Sequence, residues 1–103
     1  MQEIKNIKNL KIIDIKNIHD YLQLILESNI IINIFNNYTF KNDNNNIDNF
    51  LFKKILSVNK KIDSIIINFP QEEYIEISLL DKDYNGPEAF EIIDKSEGKI
   101  IIV

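Results

Sequence analysis

The sequence predicts an α+β fold, with two helices packed on one face of a four- to five-stranded, mainly antiparallel sheet. Three observations carry that expectation. Apolar side chains recur at helical spacing around residue 20 and again around residue 50, and residues 62–103 break into short β-branched runs divided by turn residues. The chain has 103 residues, 45% of them apolar, enough to bury one core without disulfide or metal support. Residues 1–103 are therefore read as a single domain, with 1–9 as a mobile lead-in.

The lead-in repeats an Ile-Lys-Asn phrase (Ile4-Lys5-Asn6, Ile7-Lys8-Asn9) whose spacing suits neither helix nor strand, and Leu10 to Ile15 reads as a short strand. A helix is expected over residues 17–28. Asn17 can cap it, Asp20 stands where a capping box would place an acid, and Ile18, Tyr21, Leu22, Ile25 and Leu26 share one helical face. Ser28-Asn29 ends it. From Ile30 to Phe40 β-branched and aromatic residues dominate, which argues for one strand. After an asparagine-rich loop over residues 41–46, a second helix is expected from Ile47 to Lys60, with Leu51, Phe52, Ile55, Leu56 and Val58 on its core side. Ile62–Phe69 is a strand stopped by Pro70. Tyr74–Leu80 alternates, and Ala89–Asp94 with Lys99–Val103 forms a hairpin across residues 95–98. The short connections favour antiparallel pairing.

Cysteine is absent and no apolar run approaches the roughly 20 residues of a membrane helix. The first residues are broken by lysine and asparagine and lack the apolar stretch of a signal peptide, so a cytoplasmic location is expected. Asn37-Tyr38-Thr39 fits a glycosylation acceptor, but in that compartment the match is fortuitous. Every one of the twelve basic residues is lysine, and isoleucine and asparagine abound, the signature of an AT-rich genome such as that of a low-G+C bacterium. Without arginine, bidentate reading of guanine or phosphate loses its usual tool.

The charge is unevenly spread. Residues 1–16 are net positive, whereas residues 62–103 carry three lysines against ten acids. Alternation along the strands turns Glu76 and Glu91 away from the core. Such a half-molecule repels nucleic acid and attracts basic surfaces.

Residues for catalysis are few. His19 is the only histidine, no Gly-x-Ser-x-Gly elbow exists, and Gly86 and Gly98 are the only glycines, so neither a nucleophile elbow nor a phosphate-cradling loop can be built. One histidine and no cysteine argue against zinc. Asp81-Lys82-Asp83-Tyr84-Asn85-Gly86 reproduces the first half of a calcium loop, but Ile92 stands where the closing glutamate belongs, and an acidic turn between strands explains it as well. Carboxylate pairs such as Glu72 with Glu73 arise by chance in so acidic a stretch. No enzyme activity, cofactor or metal is expected. Nucleic-acid binding would rest on Lys53, Lys54, Lys60 and Lys61 around the second helix, in a winged-helix arrangement whose wing would itself be acidic.

In its acidic sheet region, Tyr74-Ile75-Glu76-Ile77 followed by Asp81-Lys82-Asp83-Tyr84-Asn85-Gly86-Pro87, the chain resembles the small immunity proteins that bacteria pair with polymorphic or contact-dependent toxins. It is similar in type to phage-encoded inhibitors, anti-CRISPR proteins among them. The resemblance implies a stoichiometric inhibitor that occludes a cognate toxin, and the acidic half implies a basic partner, nucleases being one such class. The expected contact set is Tyr74, Glu76, Asp81, Asp83, Tyr84, Glu88 and Glu91, with the tyrosines as anchors and the acids as steering charges. Tyr84, in a turn, is expected to stand clear of the core. A homo-oligomeric module that pairs through the isoleucine-rich edges Ile30–Phe35 or Ile100–Val103 is the alternative.

Overall fold

Within Tyr21–Leu26 the side chains of Leu22, Leu24 and Leu26 are buried while Tyr21, Gln23 and Ile25 are half-exposed, an alternation with the period of a strand. That pattern governs the whole chain. The computed structural model describes residues 2–3 and 7–103, and in these the backbone forms two antiparallel sheets. The first joins β2 (Ile12–Ile18), β3 (Tyr21–Leu26), β4 (Ile30–Ile34), β9 (Phe90–Asp94) and β10 (Lys99–Ile102), in the order β10-β9-β4-β3-β2. The second joins β1 (Gln2–Glu3), β5 (Tyr38–Lys41), β6 (Ser57–Lys60), β7 (Ser64–Asn68) and β8 (Tyr74–Ser78), in the order β1-β6-β7-β8-β5. Strands β6, β7 and β8 follow one another as hairpins, while the long connection 42–56 carries the chain from β5, which lies beside β8, across to β6, a Greek-key arrangement.

The expected α+β class is thus overturned: the protein is a two-sheet β structure. Among the described residues the helical segments are 3-10 turns of three or four residues. Over residues 17–28 the expected helix is instead the end of β2, a two-residue turn at His19-Asp20, and β3, with Ile18 paired to Tyr21. Leu24 decides between the two. It lies off the helical stripe yet is 0% exposed, because on a strand it joins Leu22 and Leu26 on the core face.

The second expected helix, 47–60, is also absent. Ile47–Phe50 is a 3-10 turn whose start is held by the Asn46 side chain, which accepts from the Asp48 N–H at 3.0 Å. Phe52 then adopts φ 68°, which ends any helical continuation. On the expected stripe Phe52 is 64% exposed, whereas Phe50, off it, is fully buried. Segment 52–55 pairs with segment 9–12: the Ile12 N–H donates to the Lys53 carbonyl at 3.0 Å and the Ile55 N–H to the Leu10 carbonyl at 2.9 Å. The start of β2 is thereby stitched to the chain that leads into β6, which joins the two sheets along one side.

The single strand expected over residues 30–40 divides in two. β4 and β5 belong to different sheets, and Phe35–Asn37 carries the chain between them. The later strands lie where the alternation places them, and the hairpin across 95–98 closes with Gly98 at φ 68° and the Asp94 carboxylate accepting from the Ser96 and Glu97 N–H groups. Of the lead-in, residues 2–3 form β1 and Ile7 is buried; Met1 and residues 4–6 lie outside the described residues.

Inward residues of both sheets form one hydrophobic cluster, with Leu24, Ile32 and Phe90 from the first sheet and Val58, Ile65, Ile67, Ile75 and Ile77 from the second. Phe50 stacks between Phe69 (ring centroids 4.4 Å apart) and the edge of Phe40 (6.0 Å), and so plugs one end. Left-handed backbone falls on Ser28-Asn29 and Gln71-Glu72 at two hairpin turns, while Asn85 and Gly86 are not in that region, contrary to the expectation that they supply positive φ. No helix among the described residues is long and apolar enough to cross a membrane.

Candidate functional site

The outer face of the second sheet is built from the residues that alternate with its core positions. Ile75 and Ile77 point inward from β8, so Tyr74, Glu76 and Ser78 point outward, with Thr39 of β5 beside Glu76 and Ser64 of β7 beside Ser78. Where this face meets the β6–β7 turn and the loop after β8 there is an open depression of about 330 Å³, lined among others by Tyr38, Asp63, Ser64, Glu76, Leu80 and Asp83. Among the described residues that line it, three are carboxylates and none is lysine.

Asp83 anchors the rim. The Ser78 hydroxyl donates to its Oδ2 at 2.6 Å, the Asn37 side-chain amide donates to Oδ1 at 3.1 Å, and the Leu80 N–H donates to the Ser78 oxygen at 3.1 Å. These contacts tie the loop after β8 to the crossover at Asn37. The Ser78 hydrogen bond holds the Asp83 carboxyl below the usual carboxylate range; the Asn37 amide and the Lys82 charge act the same way, against a desolvation effect that raises it. Burial pushes the Tyr38 phenol up, so that ring stays neutral. Ser64 is 5% exposed and its hydroxyl has no hydrogen-bond partner among the described residues.

A second depression of about 390 Å³ adjoins the first and shares Asn37 and Tyr38 with it. It contains His19, which sits at the tip of the β2–β3 hairpin rather than in a helix, 3.8 Å from Asp20 with both side chains largely exposed. Asn36 at its base donates to the Ser78 carbonyl at 2.7 Å.

The seven residues expected to form one contact surface are distributed over the two sides of the sandwich. Tyr74 and Glu76 lie on the outer face of the second sheet, and Asp81 and Asp83 on the loop beside it. Glu91 is on the outer face of the first sheet, in a polar row where Gln23 donates to Asn33 at 3.0 Å and Asn33 donates to Glu91 at 2.9 Å. Glu88 is half-buried just before β9. Tyr84, expected to stand clear of the core, packs against it, so alanine at 84 would act on folding as well as on binding. The depression therefore unites Glu76 and Asp83 with residues outside the expected set: Asp63, Ser64, Ser78, Asn37 and Tyr38. Asp63 carries a signal in its charge alone. The others carry none, because strand order decides that they meet.

Elsewhere Lys53 and Glu73 have a structural duty. Lys53, one of the four lysines considered for nucleic acid, pairs with the buried Glu73 and lies 5.6 Å from the centre of the Phe50 ring. The helix that would have presented those lysines is not formed. Of the calcium-like motif, Asp83 is turned to Ser78 and Asn37, and the Asn85 side chain donates to the Phe35 carbonyl at 3.0 Å.

The chain matches no family model, no curated protein and no solved structure.

Proposed function

We propose that this protein is a non-catalytic binding module of the bacterial cytoplasm that neutralises a basic protein, such as a nuclease-type toxin, by binding it stoichiometrically. The observation that supports the reading is the depression on the second sheet, which Asp63, Glu76 and Asp83 line and which no lysine among the described residues enters. A focused negative surface raises the rate at which a basic enzyme is encountered, and a rigid sheet face lets it close over an active site without reordering. Capture from lysate of the source cells tests it. Tagged protein should retain one basic protein in stoichiometric amount, and the double variant Asp63→Lys, Glu76→Lys should retain less by a factor of about ten or more. Equal retention by both, or none by either, would refute the reading.

One observation favours a second reading. β10 is the edge of the first sheet, and its Ile100, Ile101 and Ile102 are 56%, 41% and 54% exposed. Ile100 also continues a cross-strand row through Ile93, Ile31 and Ile25. Antiparallel pairing of β10 with a second copy would extend both the sheet and that row. A dimer that persists at high salt and is lost in Ile100→Lys would support it; a monomer at all salt concentrations would exclude it.

A further inference from the structure

We infer that the depression beside Glu76 is a receptor for a single guanidinium group, an arginine side chain presented by the protein partner. The inference rests on the reading of the protein as a binder of basic proteins and adds the chemical identity of the anchor.

Ser64 supplies the first ground. Its hydroxyl is buried in a residue that lines the depression, and it has no hydrogen-bond partner among the described residues. A buried polar atom left unpaired costs free energy that a ligand able to reach it returns. Asp63 and Glu76 supply the second, since neither carboxylate has an ion pair or side-chain hydrogen bond among the described residues. Asp83 and Ser78, by contrast, are engaged with each other and with Asn37 and Leu80, and so serve as the rim. The free acceptors are therefore Asp63 on the β6–β7 turn, Ser64 at the start of β7 and Glu76 in the middle of β8.

That spread selects the ligand. No group of three or more Asp, Glu, His or Cys side chains among the described residues is close enough to hold one metal ion. An ammonium is a compact point charge, whereas a guanidinium is a planar fork of five donors that can serve separated acceptors together. Leu80 completes the fit as an apolar wall for the aliphatic stem.

Titration of isotope-labelled protein with N-acetyl-arginine amide, followed by amide chemical shifts, tests this directly. Saturable shifts are expected at residues 62–65 and 76–80, with N-acetyl-lysine amide several-fold weaker and the neutral citrulline analogue without effect. Glu76→Gln and Asp63→Asn should each weaken arginine binding about tenfold, and Ser64→Ala should weaken it less. The spectrum of each variant reports its own folding. Shifts that do not saturate, that citrulline reproduces, that lysine matches, or that survive in the Asp63→Asn, Glu76→Gln double variant would overturn the inference. The titration needs no protein partner, so its outcome separates from that of the capture experiment. Capture with failed titration removes the guanidinium site alone; titration with failed capture removes the protein-partner reading on which it was built.

Discussion

Leu24→Ala is expected to destabilise the protein by about 3 kcal/mol, and Ile25→Ala by about 1 kcal/mol or less, in urea unfolding. Leu24 is fully buried between the sheets, whereas Ile25 stands on the outer face of β3 opposite Ile31 and Asp14. A helix over residues 17–28 requires the reverse order, since Ile25 lies on its apolar stripe and Leu24 does not. The ranking thus separates the two architectures. The Leu24 loss is a large fraction of the ~5–10 kcal/mol that a domain of this size commands, so the variant should also show a clearly lowered midpoint.

Lys53→Ala is expected to cost about 2–3 kcal/mol, more than the median surface ion pair. Glu73 is 3% exposed; it accepts from Lys53 and from the Asp43 N–H at 3.1 Å, and so ties the asparagine-rich loop, the β7–β8 turn and the segment before β6 together. Removing the ammonium leaves that carboxylate buried and unpaired. Lys53 is itself partly exposed, so water recovers some of the loss and the figure stays below that of a fully buried pair. Glu73→Gln, which removes the charge and keeps the shape, should cost less.

The same pair sets a pH dependence. The Lys53 hydrogen bond, with the Asp43 N–H and the lysine charge, lowers the Glu73 pKa against desolvation; the Ser78 contact likewise lowers that of Asp83. A carboxylate whose folded pKa is depressed stabilises the fold above its unfolded value and loses that contribution as pH falls through the folded one. Stability should therefore hold at neutral pH and decline below about pH 4, less steeply in Glu73→Gln than in the parent.

The strands after residue 62 were legible because each signal there has one meaning. Tyr74–Ser78 alternates without apolar residues on its outer face, Pro70 closes β7, and Gly98 marks the last hairpin. The first half was misleading for a physical reason. In an isoleucine- and leucine-rich run, Ile18, Tyr21, Leu22, Ile25 and Leu26 satisfy the spacing of a helix while Leu22, Leu24 and Leu26 satisfy that of a strand, and tertiary pairing decides between them. Turn cues would have arbitrated, but His19-Asp20 turns without a left-handed residue, and Ser28-Asn29 occupies left-handed backbone where glycine would have announced it. The acidic bias of the C-terminal half was plain in the sequence. Its concentration beside Glu76 was not, because Asn37, Asp63 and Asp83 meet only through the β5–β8 and β7–β8 pairings.

Hydrogen exchange on the complex recovered by capture maps the contact surface without any substitution. Added protection is expected at residues 38–39, 62–64 and 76–83, with residues 21–25, 31–33 and 91–93 on the opposite sheet unchanged. Protection confined to that opposite face, or to the β10 edge at Ile100–Ile102, would contradict that expectation.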